Sequence, residues 1–242
     1  MKNGYKNEFE FINYLNNKKY WQLNPLMQDM LKTLYPNILN HDIIKAYKYG
    51  KFAKVDIVIN INGIIKGISI KCGVKNSVHV EPIQKFIKYL QAKNFKETDK
   101  LLRYLYSDGT NNNTGIERQS SKQYKINNCL DINQINENLK NIKSNLITRF
   151  LIKTDINYKV NVDLFITGTI NDFIWATKDE VINYLSNNDC DSTSVHISNL
   201  FIQNWDKNLK YNPKYEYCRN YIQVKWYSMF DDVIKIMCKR NN

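Results

Sequence analysis

Between Lys54 and Gly73 the chain reads KVDIVININGIIKGISIKCG. Two apolar runs meet at Asn62-Gly63, the strongest short-range signal for a two-residue hairpin turn. Asp56, Ser69 and Lys71 interrupt those runs. With Asn62-Gly63 as the turn, Ile61 faces Ile64, Asp56 faces Ser69 and Lys54 faces Lys71. Directly opposed residues share a sheet face, and so do alternate residues along a strand. Asp56, Ser69, Lys71 and Lys54 therefore belong to one face. Val55, Ile57, Ile68, Ile70 and Cys72 belong to the other, which is directed at a core. A slip of one residue would bury the polar set. The hairpin thus delivers a carboxylate and an ammonium to one patch. A carboxylate offers hard oxygen ligands to a cation, and a fixed ammonium offsets negative charge on a reacting group. Ser69 lacks the partner of a nucleophile, since no histidine or second lysine is placed as its base.

The elements that must position this patch follow from hydrophobic periodicity. YKNEFEFINYLNN predicts a helix with Tyr5, Phe9, Ile12 and Leu15 along one stripe and Glu8 on it. NPLMQDMLKTLYP predicts a second helix, opened by Asn24-Pro25 and closed before Pro36. YKYGKFAK reads as a basic, aromatic loop into the hairpin. After a loop GVKNSVHV, EPIQKFIKYLQAK predicts a helix with Glu81 at its start and Pro82 in its first turn. ETDKLLRYLY predicts another. SDGTNNNTGIERQSSKQYK reads as a loop and marks a boundary between subdomains. A long helical pattern covers 133–151. VNVDLFITG and DFIWAT read as a second hairpin, KDEVINYL as a short helix, SVHISNLFIQNW and RNYIQVKWYSM as strands, and FDDVIKIM as a closing helix. This mixture predicts an α/β (α+β) fold with a mixed central β-sheet flanked by helices. Residues 1–107 would form one half and 123–242 the other, either as two parts or as one continuous domain.

An aspartate at the start of one strand, followed on the next by an acidic-x-Lys triplet, marks the PD-(D/E)XK nuclease superfamily, which includes many restriction endonucleases and junction resolvases. Asp56 and the triplet Ser69-Ile70-Lys71 resemble that pattern, over roughly residues 1–93. Ser69 stands where an acid is usual. Some restriction endonucleases with S-x-K take the missing carboxylate from the following helix, and Glu81 resembles that migrated acid. Glu8 resembles the glutamate on the first helix of many members, and Gln84 a helix glutamine of resolvase-like nucleases. The resemblance implies a restriction-endonuclease-like core and a Mg²⁺ ion, with Mn²⁺ as substitute. Asp56, Glu81 and the Ile70 carbonyl would hold the ion. Lys71 would orient the attacking water or offset charge, and Glu8 would hold a second ion or a basic group. Lys54, Lys51, Gln84 and Lys225 would touch nucleic acid.

Composition is compatible with this. The formal net charge is +12 over 242 residues, 43% of them hydrophobic, so the chain can bury a core and favours polyanionic partners. Lysine-rich composition also follows from AT-rich codon use, so charge alone does not decide. Five widely spaced cysteines without a C-x-x-C suggest neither a disulfide framework nor a zinc site. Reduced cysteines, the absence of a signal-peptide pattern and no apolar run of membrane-spanning length predict a cytoplasmic protein. A rival set, Asp163 with Gln223 and Lys225, lacks a tight turn to join it and offers a glutamine that cannot carry charge to a metal. Trp205, Trp226, Tyr211, Tyr215 and Tyr217 interleave with Lys207, Lys210, Lys214 and Arg219, a composition suited to nucleic acid or to a half-buried sheet edge.

The expected function is a Mg²⁺-dependent endonuclease acting on double-stranded DNA, of restriction type, with a homodimer matching duplex symmetry left open. The alternatives are a structure-specific nuclease such as a junction resolvase, and a DNA-binding protein whose site has decayed at Ser69.

Overall fold

Asn62 and Gly63 have φ of 51° and 83°, the two positive values that a type I′ turn requires. The turn joins strand Ile57–Ile61 to strand Ile64–Lys71 with Ile61 opposite Ile64 and Ile57 opposite Ile68, the register that the sequence implies. The computed structural model describes residues 3–50, 54–73, 76–109, 118–153, 159–205 and 213–240.

In chain order these residues form α1 (Asn3–Leu15), α2 (Pro25–Leu34), β1 (Lys45–Lys48), β2 (Ile57–Ile61), β3 (Ile64–Lys71), β4 (Asn76–Pro82), α3 (Ile83–Gln91), α4 (Thr98–Leu105), α5 (Ser121–Asn127), α6 (Cys129–Lys140) and α7 (Lys143–Ile147). Then come β5 (Val162–Thr169), β6 (Asp172–Thr177), α8 (Lys178–Asn187), β7 (His196–Ile197), β8 (Leu200–Asn204), β9 (Tyr221–Trp226) and α9 (Met229–Arg240). They group into two compact units. Unit 1 is Met1–Asn76 with Leu151–Tyr184 and Ser228–Asn242; unit 2 is Ser77–Phe150 with Leu185–Tyr227. This grouping differs from the division into 1–107 and 123–242. The reason is topological: β5, from the second half of the chain, pairs in parallel with β3 and draws its neighbours into the first sheet.

Unit 1 is built on a five-stranded mixed sheet in the order β1-β2-β3-β5-β6, antiparallel except for β3 and β5. Alternate residues of its strands, Ile57, Ile59, Ile68, Ile70, Leu164, Ile166 and Trp175, join Phe11 and Leu15 of α1 and Met27, Met30 and Leu31 of α2 in one core. The intervening residues Val58, Phe165 and Ala176 are buried too, on the face covered by α9, which packs on β5 and β6. A sheet buried on both faces reads as a near-continuous apolar run rather than an alternating one, as VDIVINI does.

Unit 2 carries a four-stranded sheet in the order β4-β9-β8-β7. Trp226, Ile222, Val224, Leu200 and Ile202 fill its buried face. Helices α3 and α6 pack on β9 and β7.

Several local expectations are corrected. The stretch expected as the loop YKYGKFAK begins within β1, and GVKNSVHV leads into strand β4 rather than a loop. Glu81 therefore lies in β4 and not in a helix. The helical pattern over 133–151 is divided into α6, α7 and a wide π-type turn over Thr148–Ile152. In α1 the buried line is Asn7, Phe11 and Leu15, while Phe9 is 47% exposed. The Asn7 side chain donates to the Gly168 carbonyl at 2.9 Å, which fixes that line against the sheet.

Candidate active site

The site is assembled on the β2–β3 hairpin. The Asp56 N–H donates to the Ile68 carbonyl at 2.9 Å, extending the ladder one step beyond β2 and aligning Asp56 with Ser69. One carboxylate oxygen, Oδ2 of Asp56, then accepts three donors: the Ser69 hydroxyl at 3.2 Å, the Ile70 N–H at 2.6 Å and the Lys71 ammonium at 3.0 Å. Ser69 is buried, whereas the Asp56 and Lys71 side chains keep 16% and 22% of their surface, enough for a ligand to reach them. Asp56, Ser69, Ile70 and Lys71 thus form one hydrogen-bonded group.

A second pair adjoins it. Glu8 of α1 pairs with Lys48 at the end of β1, and the Lys48 ammonium lies 5.1 Å from the centre of the Tyr5 ring. Burial pushes the Lys48 pKa down; the Asp56 carboxylate opposes that shift and the Lys71 ammonium adds to it. Lys48 therefore feels both members of the hairpin pair. Charges of alternating sign run from Glu8 to Lys48 to Asp56 to Lys71, contributed by α1, β1, the head of β2 and β3. Sequence reasoning singled out Glu8 and missed Lys48. The available signal was the alternation of buried Ile44 and Ala46 with exposed Lys45 and Tyr47, which marks a strand ending at Lys48.

The other expected residues are placed differently. Lys54 is half-buried just ahead of Asp56. Lys51 lies outside the described residues. Glu81, Gln84 and Lys225 belong to unit 2. Gln84 is exposed on α3, and the Lys225 ammonium lies 5.8 Å from the Tyr227 ring centre. Glu81 is 3% exposed and fully engaged. Arg149 donates from Nε to Oε1 at 2.9 Å and from Nη2 to Oε2, and His79 Nε2 lies 2.9 Å from Oε1. Burial alone would push the Glu81 pKa up. The hydrogen bonds and charges of His79 and Arg149 outweigh it and hold it at about 2. Arg149 also stacks 4.2 Å from the Tyr89 ring centre. Nothing local in the sequence marked Arg149 as this partner.

The rival set divides. Asp163 accepts the Gly67 N–H at 3.0 Å and the Lys178 ammonium at 3.1 Å, with Lys66 at 3.8 Å; its charge ties β5 to β3. Gln223 donates to the Ser77 hydroxyl at 3.0 Å. Trp226 is a core residue, and Arg219 pairs with Asp108 at 3.1 Å. Tyr211, Lys207 and Lys210 lie outside the described residues, as do the side chains of Lys214 and Tyr215.

Among the described residues no three His, Cys, Asp or Glu side chains come together as a metal cage. Mg²⁺ does not require one, since it keeps several waters and commonly uses one or two carboxylates. Oδ2 of Asp56 takes all three of the hydrogen bonds from Ser69, Ile70 and Lys71. Glu8 is the second carboxylate of the constellation. The donor set fits a water-rich Mg²⁺ site.

Among the described residues no helix is long and apolar enough to cross a membrane. No family model matches the chain. No curated protein matches it. Among solved structures it is similar to the restriction endonuclease MspI in complex with its cognate DNA, with a TM-score of 0.59 and 13% sequence identity, over 90% of this chain and 87% of that one. At that identity the likeness is one of fold. The chain has a restriction-endonuclease-like α+β fold, with a mixed central sheet flanked by helices.

Proposed function

We propose that the chain is a metal-dependent endonuclease that hydrolyses phosphodiester bonds in double-stranded DNA, of restriction type. The observation that carries this reading is the convergence of Ser69, Ile70 and Lys71 on one oxygen of Asp56, in a fold similar to that of a restriction endonuclease. The charge of +12 supports a polyanionic substrate.

Asp56 and the Ile70 carbonyl would hold Mg²⁺, and Glu8 would serve as the second acid. A bound Mg²⁺ would stabilise charge on the phosphate and acidify a water. Lys71 holds its ammonium where it can orient a water or meet charge on the phosphate. Ser69 keeps the Asp56 carboxylate in place. Lys48 holds Glu8 beside the group. Glu81 is left out of the proposed set, because it is 3% exposed and both of its oxygens are held, by Arg149 and His79. A homodimer would match the two-fold symmetry of a duplex site, which sedimentation with and without DNA would test.

The deciding experiment incubates the protein with plasmid, linear duplex and four-way junction DNA in Mg²⁺ or Mn²⁺, with Lys71→Met as control. The expected result is duplex cleavage by the wild type, abolished by EDTA and absent in Lys71→Met. Cleavage of junctions alone would favour a resolvase. Binding without cleavage under every condition would overturn the nuclease reading in favour of a binding protein.

A further inference from the structure

Glu8 and Asp56 each meet an ammonium: Lys48 pairs with Oε2 of Glu8, and Lys71 donates to Oδ2 of Asp56 at 3.0 Å. Asp56 is held by more than its ammonium, since the Ser69 hydroxyl and the Ile70 N–H fix the same oxygen. Glu8 is held differently, with its Oε2 buried against the Lys48 ammonium. Lys48 is itself fixed. It ends β1 opposite Ile57, and the N–H of the next residue, Tyr49, donates to the Asp56 carbonyl at 3.3 Å. Its ammonium lies 5.1 Å from the Tyr5 ring centre, where the ring face attracts a cation. It also feels the charges of Asp56 and Lys71. All of these residues belong to unit 1.

The charges bear on how many cations this group can take. Nucleases with two metal ions hold them about 3.5–4 Å apart, one toward the attacking oxygen and one toward the leaving oxygen. Each ion then needs a carboxylate free to ligate it. Here two carboxylates are balanced by two ammoniums. A divalent ion at Asp56 gives the group a positive surplus, which suits an anionic phosphate. A second ion at Glu8 would have to displace the Lys48 ammonium or sit beside it, and like charges about 4 Å apart in a part-buried site repel strongly. An ammonium on a fixed stem carries positive charge to Glu8 without a ligand shell of its own. We propose that Lys48 stands in for a second cation: the chain takes one divalent ion, at Asp56, and the Lys48 ammonium supplies the other positive charge toward the phosphate. Glu8 then serves as an acid by holding that ammonium and not by binding the ion. This rests on the nuclease reading and adds to it the number of ions that the site takes.

Titration of the full chain with Mn²⁺ in the absence of DNA, with bound ions counted by electron paramagnetic resonance, tests this. The expected result is one Mn²⁺ in the wild type, two in Lys48→Met and one again in Lys48→Met/Glu8→Gln. Asp56→Asn should lose the wild-type ion; its retention would place the ion elsewhere and overturn the proposal. Melting gives a second readout. Millimolar Mg²⁺ should raise the melting temperature of Lys48→Met by more than that of the wild type, because an ion that binds the folded chain stabilises it and here replaces the missing ammonium. Two Mn²⁺ in the wild type, or one in Lys48→Met, would overturn the proposal and leave the nuclease reading standing. So would two ions in the double variant, since the second would not lie at Glu8. A Lys48→Met chain that stays unfolded in millimolar Mg²⁺ would also count against it, because the ion would not then replace the ammonium. A wild type that binds no Mn²⁺ at millimolar concentration would overturn both the proposal and the metal-dependent reading beneath it.

Discussion

The ammonium of Lys71 meets the carboxylate of Asp56 at 3.0 Å, on the oxygen that also accepts the Ile70 N–H at 2.6 Å. The two residues come from different strands of one hairpin, and a turn of two residues sets their approach. An acid at position 69, directly opposite Asp56, would face it as a like charge. Ser69 donates a hydrogen bond there instead. The group is thus held together without a second carboxylate of its own, and Glu8 is the acid that adjoins it through Lys48.

Lys71→Met should leave DNA binding within about threefold of wild type while lowering cleavage by about 10²–10³-fold, the usual loss when a fixed charge that stabilises a transition state is removed. Single-turnover cleavage of a labelled duplex, with gel-shift titration beside it, measures both. Full cleavage by the variant would remove Lys71 from the chemistry.

Lys48→Met should destabilise the protein by about 3–5 kcal/mol, because it leaves the largely buried Glu8 carboxylate without its partner. Adding Glu8→Gln should recover most of that loss, since the second change removes the stranded charge. Urea unfolding of the two single variants and the double variant gives the coupling. Strictly additive losses would show that Glu8 and Lys48 do not act as a pair.

The hairpin was legible because its signals are local. Asn62-Gly63 fixes the turn, and the register then places Asp56 opposite Ser69 with no further information. The rest of the unit depends on contacts between distant segments. The parallel pairing of β3 with β5 joins residues as far apart as Lys71 and Thr167, and no short motif announces it. Lys48 escaped notice because its strand is four residues long and its last two residues, Tyr47 and Lys48, open the run that reads as a loop. Glu81 was misplaced because Glu-Pro is a good helix opening by local rules, whereas pairing of β4 with β9 holds Glu81 in a strand.

Gly67→Ala should cost about 1–3 kcal/mol, the range for an atom forced into filled space. A Cβ there would strike the Asn161 carbonyl and come within 2.8 Å of Val55 Cγ2. Gly67 sits at the register shift between β3 and β5, so the damage falls where the two halves of the chain join one sheet. Thermal unfolding followed by circular dichroism reads the loss; a wild-type melting temperature would contradict the close approach.

Glu81 gives the fold a specific acid limb. Its pKa is about 2 in the folded protein against an ordinary 4.5. The unfolded chain therefore binds a proton more readily than the folded one. The stabilisation is complete above about pH 4.5 and is lost as pH falls toward 2. A depression of that size corresponds to roughly 3 kcal/mol. Glu81→Gln should be less stable than wild type at neutral pH, because Arg149 loses its counter-charge, and the gap should close between pH 4.5 and 2. Urea midpoints of both proteins across that window test it. A gap that stays constant with pH would mean that Glu81 contributes by packing and not through its charge.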